Sequence, residues 1–165
     1  MLLENFYRWQ IARGVVTAPS RFVKPLDWDQ SSTIYVQPSQ IENLTMFRAN
    51  TKIKLGAGTI EPNQSDYTLT DDITSSFIVS APSYSAFYSD IAPHARFQAV
   101  CTLTNNTRNP LTITEYGLSQ SLFTTTSLTS GSSTLKEVLF FKELLNSPIT
   151  ILPGEQKVVT FQFTM

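Results

Sequence analysis

Apolar and polar residues alternate with a period of two over most of the chain after residue 33. An alternation of this kind is typical of a strand with one buried face. The clearest run is residues 94–103, in which one face is formed by Phe97, Ala99, Cys101 and Leu103. Shorter runs predict further strands at Thr33–Gln37, Thr51–Leu55, Ser75–Ser80, Leu111–Glu115, Ile149–Ile151 and Val158–Met165.

Turn-forming residues separate these runs. They are Pro62-Asn63, Asp71-Asp72, Pro82, Pro93, the Thr104–Pro110 loop and the Ser-rich stretch 127–133. Pro153-Gly154 suits positions i+1 and i+2 of a type II turn. Many short strands with regular turn signals predict an all-β domain over residues 33–165, built as an antiparallel β-sandwich of Ig-like or jelly-roll-like kind.

One run is compatible with two kinds of element. Over residues 135–145, Leu135, Val138, Leu139 and Lys142 have the spacing of a helix, whereas the alternation through Val138–Phe141 has the spacing of a strand. We favour a strand through Val138–Phe141.

The first 32 residues follow a different pattern. Leu2, Phe6 and Trp9 are spaced by four and three, and Arg13-Gly14 would end a helix, so a short amphipathic helix is predicted over residues 2–13. Residues 15–32 then read as an extended connector with two prolines. We predict that residues 1–32 form a docking arm whose interface residues are Leu2, Phe6, Trp9, Phe22 and Trp28.

Composition narrows the range of partners. Of the 165 residues 41% are hydrophobic, which argues against intrinsic disorder, and only 15% are charged, with a net charge of −1. That balance provides no positive field for sequence-specific nucleic acid or an anionic membrane, and no run approaches the roughly 18 apolar residues of a membrane span. A weakly charged surface suits a protein whose flanks are covered by neighbours, or an extracellular β-module.

The sequence predicts no catalytic, cofactor or metal site, and we expect the chain not to be an enzyme. Its single cysteine, Cys101, lies in an apolar strand, where core packing is expected, and its single histidine, His94, has no clear triad partners. Gly56-Ala57-Gly58-Thr59 lacks the lysine of a phosphate-binding loop and is expected to form a bulge or turn. Asp66, Asp71 and Asp72 read as solvated turn carboxylates.

Three aromatic residues form the one candidate ligand site. Tyr84, Phe87 and Tyr88 lie close together in a stretch that reads as a Ser-rich loop. Such a loop could recognise a sugar or a protein, or it could close the end of the sandwich.

Two stretches together carry a family resemblance. The first runs from Ile53 through Gly56-Ala57-Gly58-Thr59 and Pro62 to Asp66-Tyr67-Thr68-Leu69. The second contains Leu111-Thr112-Ile113-Thr114-Glu115-Tyr116-Gly117-Leu118 and, later, Pro148-Ile149-Thr150-Ile151-Leu152-Pro153-Gly154-Glu155. Their order and spacing over residues 53–163 resemble small virion proteins of tailed bacteriophages. In this pattern we expect the chain to leave its sheet at Gly117.

The resemblance implies a structural protein of a phage particle. Its expected place is the neck or tail, as a ring or adaptor, the capsid surface, as a decoration or head fibre, or the baseplate. Its expected partners are portal, tail, ring or capsid subunits and further copies of itself, and its expected location is the virion, assembled in the host cytoplasm. The alternative is a receptor- or carbohydrate-binding β-sandwich module of a phage adhesion apparatus, acting through the loop at residues 83–88.

Overall fold

The structure, a computed structural model, describes residues 35–36, 51–88, 95–125 and 134–164. The strands are β1 (Tyr35–Val36), β2 (Thr51–Gly56), β3 (Phe77–Val79), β4 (Ser83–Tyr88), β5 (Ala95–Asn105), β6 (Leu111–Thr125), β7 (Thr134–Ile151) and β8 (Gln156–Thr164). A 3₁₀ turn at Thr74–Ser76 precedes β3. The described residues contain no α-helix, and the predicted all-β class is confirmed.

The strands form two antiparallel sheets of similar plan. In the first, β6 is central, with β7 along one edge and β1 and β2 in succession along the other. In the second, β5 is central, with β8 along one edge and β3 and β4 along the other.

Both sheets contribute to one hydrophobic core. The first sheet supplies Leu55, Tyr116 and Phe141, and the second supplies Phe161 and Phe163, all of them buried. The Phe141 and Phe163 rings meet edge-on at 4.7 Å between centroids, and the Tyr116 and Phe161 rings lie 5.0 Å apart. Aromatic pairs of this geometry stabilise a core beyond the area that they bury, and they lie where the first sheet meets the second.

The alternation predicted for the second sheet is confirmed. Ala99, Cys101 and Leu103 are buried in the core, and Val159 on β8 lies beside them. Val158, one residue earlier, is 69% exposed. The period of two therefore identified the inner and outer faces of β5 and β8.

The ambiguous run at 135–145 lies wholly within β7, which confirms the strand and excludes the helix. The register shifts between Leu118 and Ser119, so that Phe140 has no partner residue on β6. An extra residue of this kind is a β-bulge, which reverses the side-chain alternation on either side of it. This explains the unbroken buried run at Val138–Lys142, which gives the sequence its helix-compatible spacing.

Gly117 does not end its strand, and the prediction that the chain leaves the sheet there is wrong. It lies within β6, opposite Lys54 on β2 and Lys142 on β7. A Cβ at Gly117 would lie 2.6 Å from the Phe141 carbonyl oxygen and 2.9 Å from a Leu139 methyl carbon. The glycine is therefore required by close packing against β7.

The turn at Pro153-Gly154 is confirmed. Gly154 has φ 72°, the left-handed conformation that position i+2 of a type II turn requires. The Glu155 amide donates to the Leu152 carbonyl at 2.9 Å, which closes the turn and returns the chain as β8.

Candidate functional site

The interface residues predicted at the N-terminus lie outside the described residues. They are Leu2, Phe6, Trp9, Phe22 and Trp28, together with the predicted helix and connector of residues 1–32. The docking arm therefore stays a prediction. His94 also lies outside the described ranges.

The aromatic cluster predicted as a loop is a strand. β4 pairs with β5 along its whole length, from Ser83 opposite Val100 to Tyr88 opposite Ala95, with Phe87 opposite Arg96. The loop prediction is wrong because the serines alternate with larger residues and keep the period of an edge strand.

Tyr84 is used in packing. Its ring is partly buried against the core, and its hydroxyl donates to the Thr51 carbonyl at 3.2 Å. Burial raises the pKa of Tyr84 to about 12, with a smaller contribution from Cys101. The side chain thus connects β4 of one sheet to β2 of the other, which leaves it poorly placed to contact a ligand.

The most unusual chemistry lies on the outer face of the first sheet, which residues 57–73 cover. We call these residues the covering segment. Leu69 of this segment packs on Leu139 of β7, and both are buried. Backbone hydrogen bonds from Ala57 to Asp71 at 2.8 Å and from Ile73 to Leu55 at 2.9 Å join the ends of the segment.

Glu115 lies beneath the covering segment and is 0% exposed. Its alternation with Leu111 and Ile113 predicted a shared face, but the β6–β7 register shifts between Ile113 and Glu115, and Glu115 points to the opposite side from the core. One carboxylate oxygen, Oε1, accepts a hydrogen bond from the Asp71 amide at 3.0 Å. The other, Oε2, is buried and accepts no hydrogen bond from the described residues.

The glycines of the Gly-x-Gly stretch make room for this carboxylate. A Cβ at Gly58 would lie 2.6 Å from Glu115 Oε1 and 2.5 Å from Thr70 Cβ, and a Cβ at Gly56 would overlap the same carboxylate. The Thr114 hydroxyl also donates to the Gly58 carbonyl at 2.6 Å. The expected bulge or turn is therefore a close crossing of the chain over Glu115.

Lys142 supplies the counter-charge. Its side chain is 3% exposed, and its Nζ lies 3.5 Å from Glu115 Oε2 and 3.0 Å from Asp66 Oδ2. Nζ also donates to the Thr70 hydroxyl at 2.9 Å. A single ammonium group thus connects β7 to β6 and to the covering segment. Asp66 was predicted as a solvated turn carboxylate, and its side chain is 26% exposed, but it is paired.

A second group of charges continues along the same face. Glu137 of β7 lies 3.1 Å from Lys54 and 4.0 Å from Lys52, and it accepts a hydrogen bond from the Ser119 hydroxyl. Lys54 also lies 3.9 Å from Asp72. The face is therefore a network of alternating charges rather than a field of one sign.

A buried asparagine joins the loops at one end of the molecule. Asn105 is 1% exposed, and its side-chain amide donates to the carbonyls of Ile151 at 2.9 Å and Asn109 at 2.8 Å. Its side-chain oxygen accepts from the Thr107 amide at 2.9 Å. Asn105 therefore holds the 105–110 loop against the end of β7, as a polar hub whose hydrogen bonds are satisfied.

A shallow groove of about 360 Å³ lies between β7 and β8. Its wall includes Tyr116, whose hydroxyl donates to the Gln162 carbonyl and lies 3.5 Å from a Glu143 oxygen. Burial, and then the Glu143 charge, raise the pKa of Tyr116. The hydroxyl therefore stays protonated near neutral pH and serves as a structural donor.

Sequence reasoning missed Glu115 and Lys142 as a pair. The available signal was a lone charge within a β-branched run, Thr112–Glu115, and the charged pair Lys142-Glu143 between apolar residues in Phe140–Leu145. Charged residues are rarely buried without a partner. Two residues of opposite charge in the apolar runs of neighbouring strands therefore indicate an ion pair.

The described residues hold no group of three or more His, Cys, Asp or Glu side chains arranged for a metal ion. In the same ranges no helix is long and apolar enough to cross a membrane. Comparison of the chain with protein-family models, with characterised proteins and with solved structures found no match.

Proposed function

We propose that this chain is a non-enzymatic structural subunit of a tailed-bacteriophage virion. In this proposal the two sheets pack as an antiparallel β-sandwich, and the subunit assembles through contacts with neighbouring proteins in the neck or tail, or on the capsid. It works in the virion as a homo-oligomer, after assembly in the host cytoplasm.

One observation carries the proposal: the two stretches on which the phage resemblance rests meet around Glu115. Gly56 and Gly58 come from the first stretch and pack on Glu115 of the second, while Leu69 of the first lies 3.3 Å from the Cβ position of Gly117 in the second. Residues far apart in the chain thus form one structural unit, as expected if the pattern describes a shared fold rather than chance matches.

The roles of these residues support a scaffold. The glycines permit close crossing, the Glu115 carboxylate ties down the covering segment, and Pro153-Gly154 forms a turn. Each motif residue is explained by folding, which fits a protein that works by shape. The binding energy for assembly would come from the arm of residues 1–32 and from the sheet surfaces.

The proposal is tested on particles. Phage particles from a culture that expresses this gene would be banded on a density gradient, and peptides of this chain quantified against the major capsid protein by mass spectrometry. We expect the chain to band with the particles at a fixed, symmetry-related copy number. Absence from intact particles, with the protein present in the lysate, would overturn the proposal.

A further inference from the structure

The two outer faces of this protein differ sharply in chemistry. The first sheet is covered by its own chain and carries the charges around Glu115, Lys142 and Glu137. The outer face of the second sheet, which we call the open face, is formed by the outward side chains of β3, β4, β5 and β8. Register places Ile78, Val100, Thr102, Thr104, Val158 and Thr160 on it.

The open face exposes apolar side chains on both flanks of its central strand. Val158 on β8 is 69% exposed and Ile78 on β3 is 58% exposed. Between them lie Thr102, opposite Val158, and Thr104, opposite Ile78. Isolated exposed apolar residues are ordinary, but here the two lie on one face with β-branched residues between them, and such residues pack well on a pleated surface.

The open face is almost free of charge. Among the described residues that register places on it, only Arg96, at the start of β5, is charged, and the rest are Ser, Thr, Gln, Val, Ile and Phe. A nucleic acid or an acidic membrane surface requires a cluster of basic residues, which this face lacks. An acidic or basic protein partner would likewise find no complementary charge.

A second copy of this chain fits the face. In a two-fold symmetric contact the same patch meets itself, so a patch with charges of one sign repels its copy, while an uncharged patch does not. The core of an interface is poor in charge because charges are costly to desolvate. The covered outer face of the first sheet could not pair in this way without burying lysines and carboxylates.

We propose that the open face is a self-association surface, on which two copies pack their second sheets against one another. The open face is three strands wide, because β3 and β4 share one edge of β5. A width of three strands about 4.8 Å apart and a length of about 30 Å give a footprint of about 450 Å² per copy, below the roughly 800 Å² per partner of a stable complex. The pairing is therefore weak in isolation and is strengthened where many copies are held together. The proposal locates the self-association that the proposed function requires, but it can be tested without particles.

The test is sedimentation velocity of the purified full-length chain over a wide concentration range. Wild-type protein should shift from monomer toward dimer as concentration rises. Val158→Lys should weaken the dimer about tenfold or more, because each interface then buries two unpaired ammonium groups. Ile60→Lys is the matched control, since Ile60 is also apolar, is 63% exposed and lies on the covering segment. It should dimerise like wild type.

Ile78→Lys, on the opposite flank of the face, replaces Val158→Lys as the deciding variant if circular dichroism shows that the latter misfolds. A wild-type chain that is monomeric at every concentration would overturn the proposal. So would a dimer that the deciding variant weakens no more than Ile60→Lys does. Either result would leave the particle experiment unaffected, so failure here is distinguishable from failure of the proposed function.

Discussion

At the scale of single residues, Cys101 shows how position in a strand governs reactivity. The side chain is 3% exposed and lies between Ala99 and Leu103 on the inner face of β5. Burial raises the pKa of the thiol to about 11. The thiolate is the reactive form. Burial therefore slows reaction of the thiol twice, because it blocks access of the reagent and lowers the thiolate fraction.

We predict that Cys101 resists modification in the native protein. Labelling by a thiol reagent at pH 8 should be at least about a hundredfold slower than in denaturant, because a core residue reacts only on extensive opening. The control is Thr59→Cys in a Cys101→Ala background, since Thr59 is exposed and its thiol should react at once. Labelling of native wild type as fast as that control would contradict the inner-face assignment.

The same thiol determines the direction in which the free energy of unfolding changes with pH. Folding raises its pKa, so its contribution to stability is complete below the unfolded pKa of about 9.0 and is lost as pH rises through about 11. The free energy of unfolding of wild type should therefore fall more between these pH values than that of Cys101→Val. A valine at this site does not titrate, so equal slopes would argue against a buried thiol.

At the scale of elements, the covering segment is held by charge as well as by packing. Its apolar contacts are made by Leu69, which packs on Leu139, and by Ile73, which is partly buried against the core. Its polar contacts are made by Lys142, which bonds Thr70 and Asp66, and by Glu115, which accepts from Asp71. A buried ion pair adds little net stability compared with an apolar pair. Removal of one partner is nevertheless costly, because the other charge stays in the low-dielectric interior without compensation.

We predict that Lys142→Met lowers the free energy of unfolding by about 3–5 kcal/mol, because the buried Glu115 carboxylate then loses its counter-charge. The double variant with Glu115→Gln should recover a large part of that loss. Lys52→Met is the matched control on the same sheet: Lys52 is 57% exposed and pairs with Glu137 at 4.0 Å, so its loss should cost about 0–1 kcal/mol. Chemical denaturation measures all three. Similar losses for Lys142→Met and Lys52→Met would refute a stabilising role for the buried pair.

The same elements show which parts of the fold the sequence pattern can predict. Periodicity identified β2, β5 and β8 because their alternation is unbroken, and a strand can be read from its period alone. It failed at Glu115, where the β6–β7 register shifts and the side chain lies on the side away from the core. The Gly117 prediction failed for another reason, because the glycine is needed for close packing against β7. A bulge breaks the alternation of the strand that carries it, as at Phe140 of β7, but where the register of the partner strand changes cannot be read from one strand alone. The site around Glu115 was missed for a different reason: it joins Asp71 and Glu115, which are 44 residues apart, so the sequence marked charges within apolar runs but not which segments meet.

At the scale of the whole molecule, the described sheets bury their apolar faces in a shared core. The proposed N-terminal arm has an apolar stripe that still needs a surface to bury it. Leu2, Phe6 and Trp9 would form one apolar stripe on a helix of about twelve residues, too short to be stable alone in water. Burying these three side chains would be worth on the order of 5–8 kcal/mol. The stripe must therefore dock, either on its own domain or on a neighbour in the particle.

We predict that deletion of residues 1–30 leaves a folded β-protein that no longer enters particles. The deletion spares every described strand, the first of which begins at Tyr35, so circular dichroism should keep its β-type spectrum and the melt should stay cooperative. A full-length variant with Leu2, Phe6 and Trp9 changed to serine should show the same loss of incorporation, because it removes the stripe alone. The matched control changes Asn5, Arg8 and Ala12, which have a similar spacing but would lie off the stripe on the predicted helix, and should assemble normally. Unfolding or aggregation of the truncated chain would mean that the arm belongs to the core of its own domain. Full incorporation of the truncated chain would mean that the assembly contacts lie on the sheet surfaces. Either result would contradict the docking-arm hypothesis.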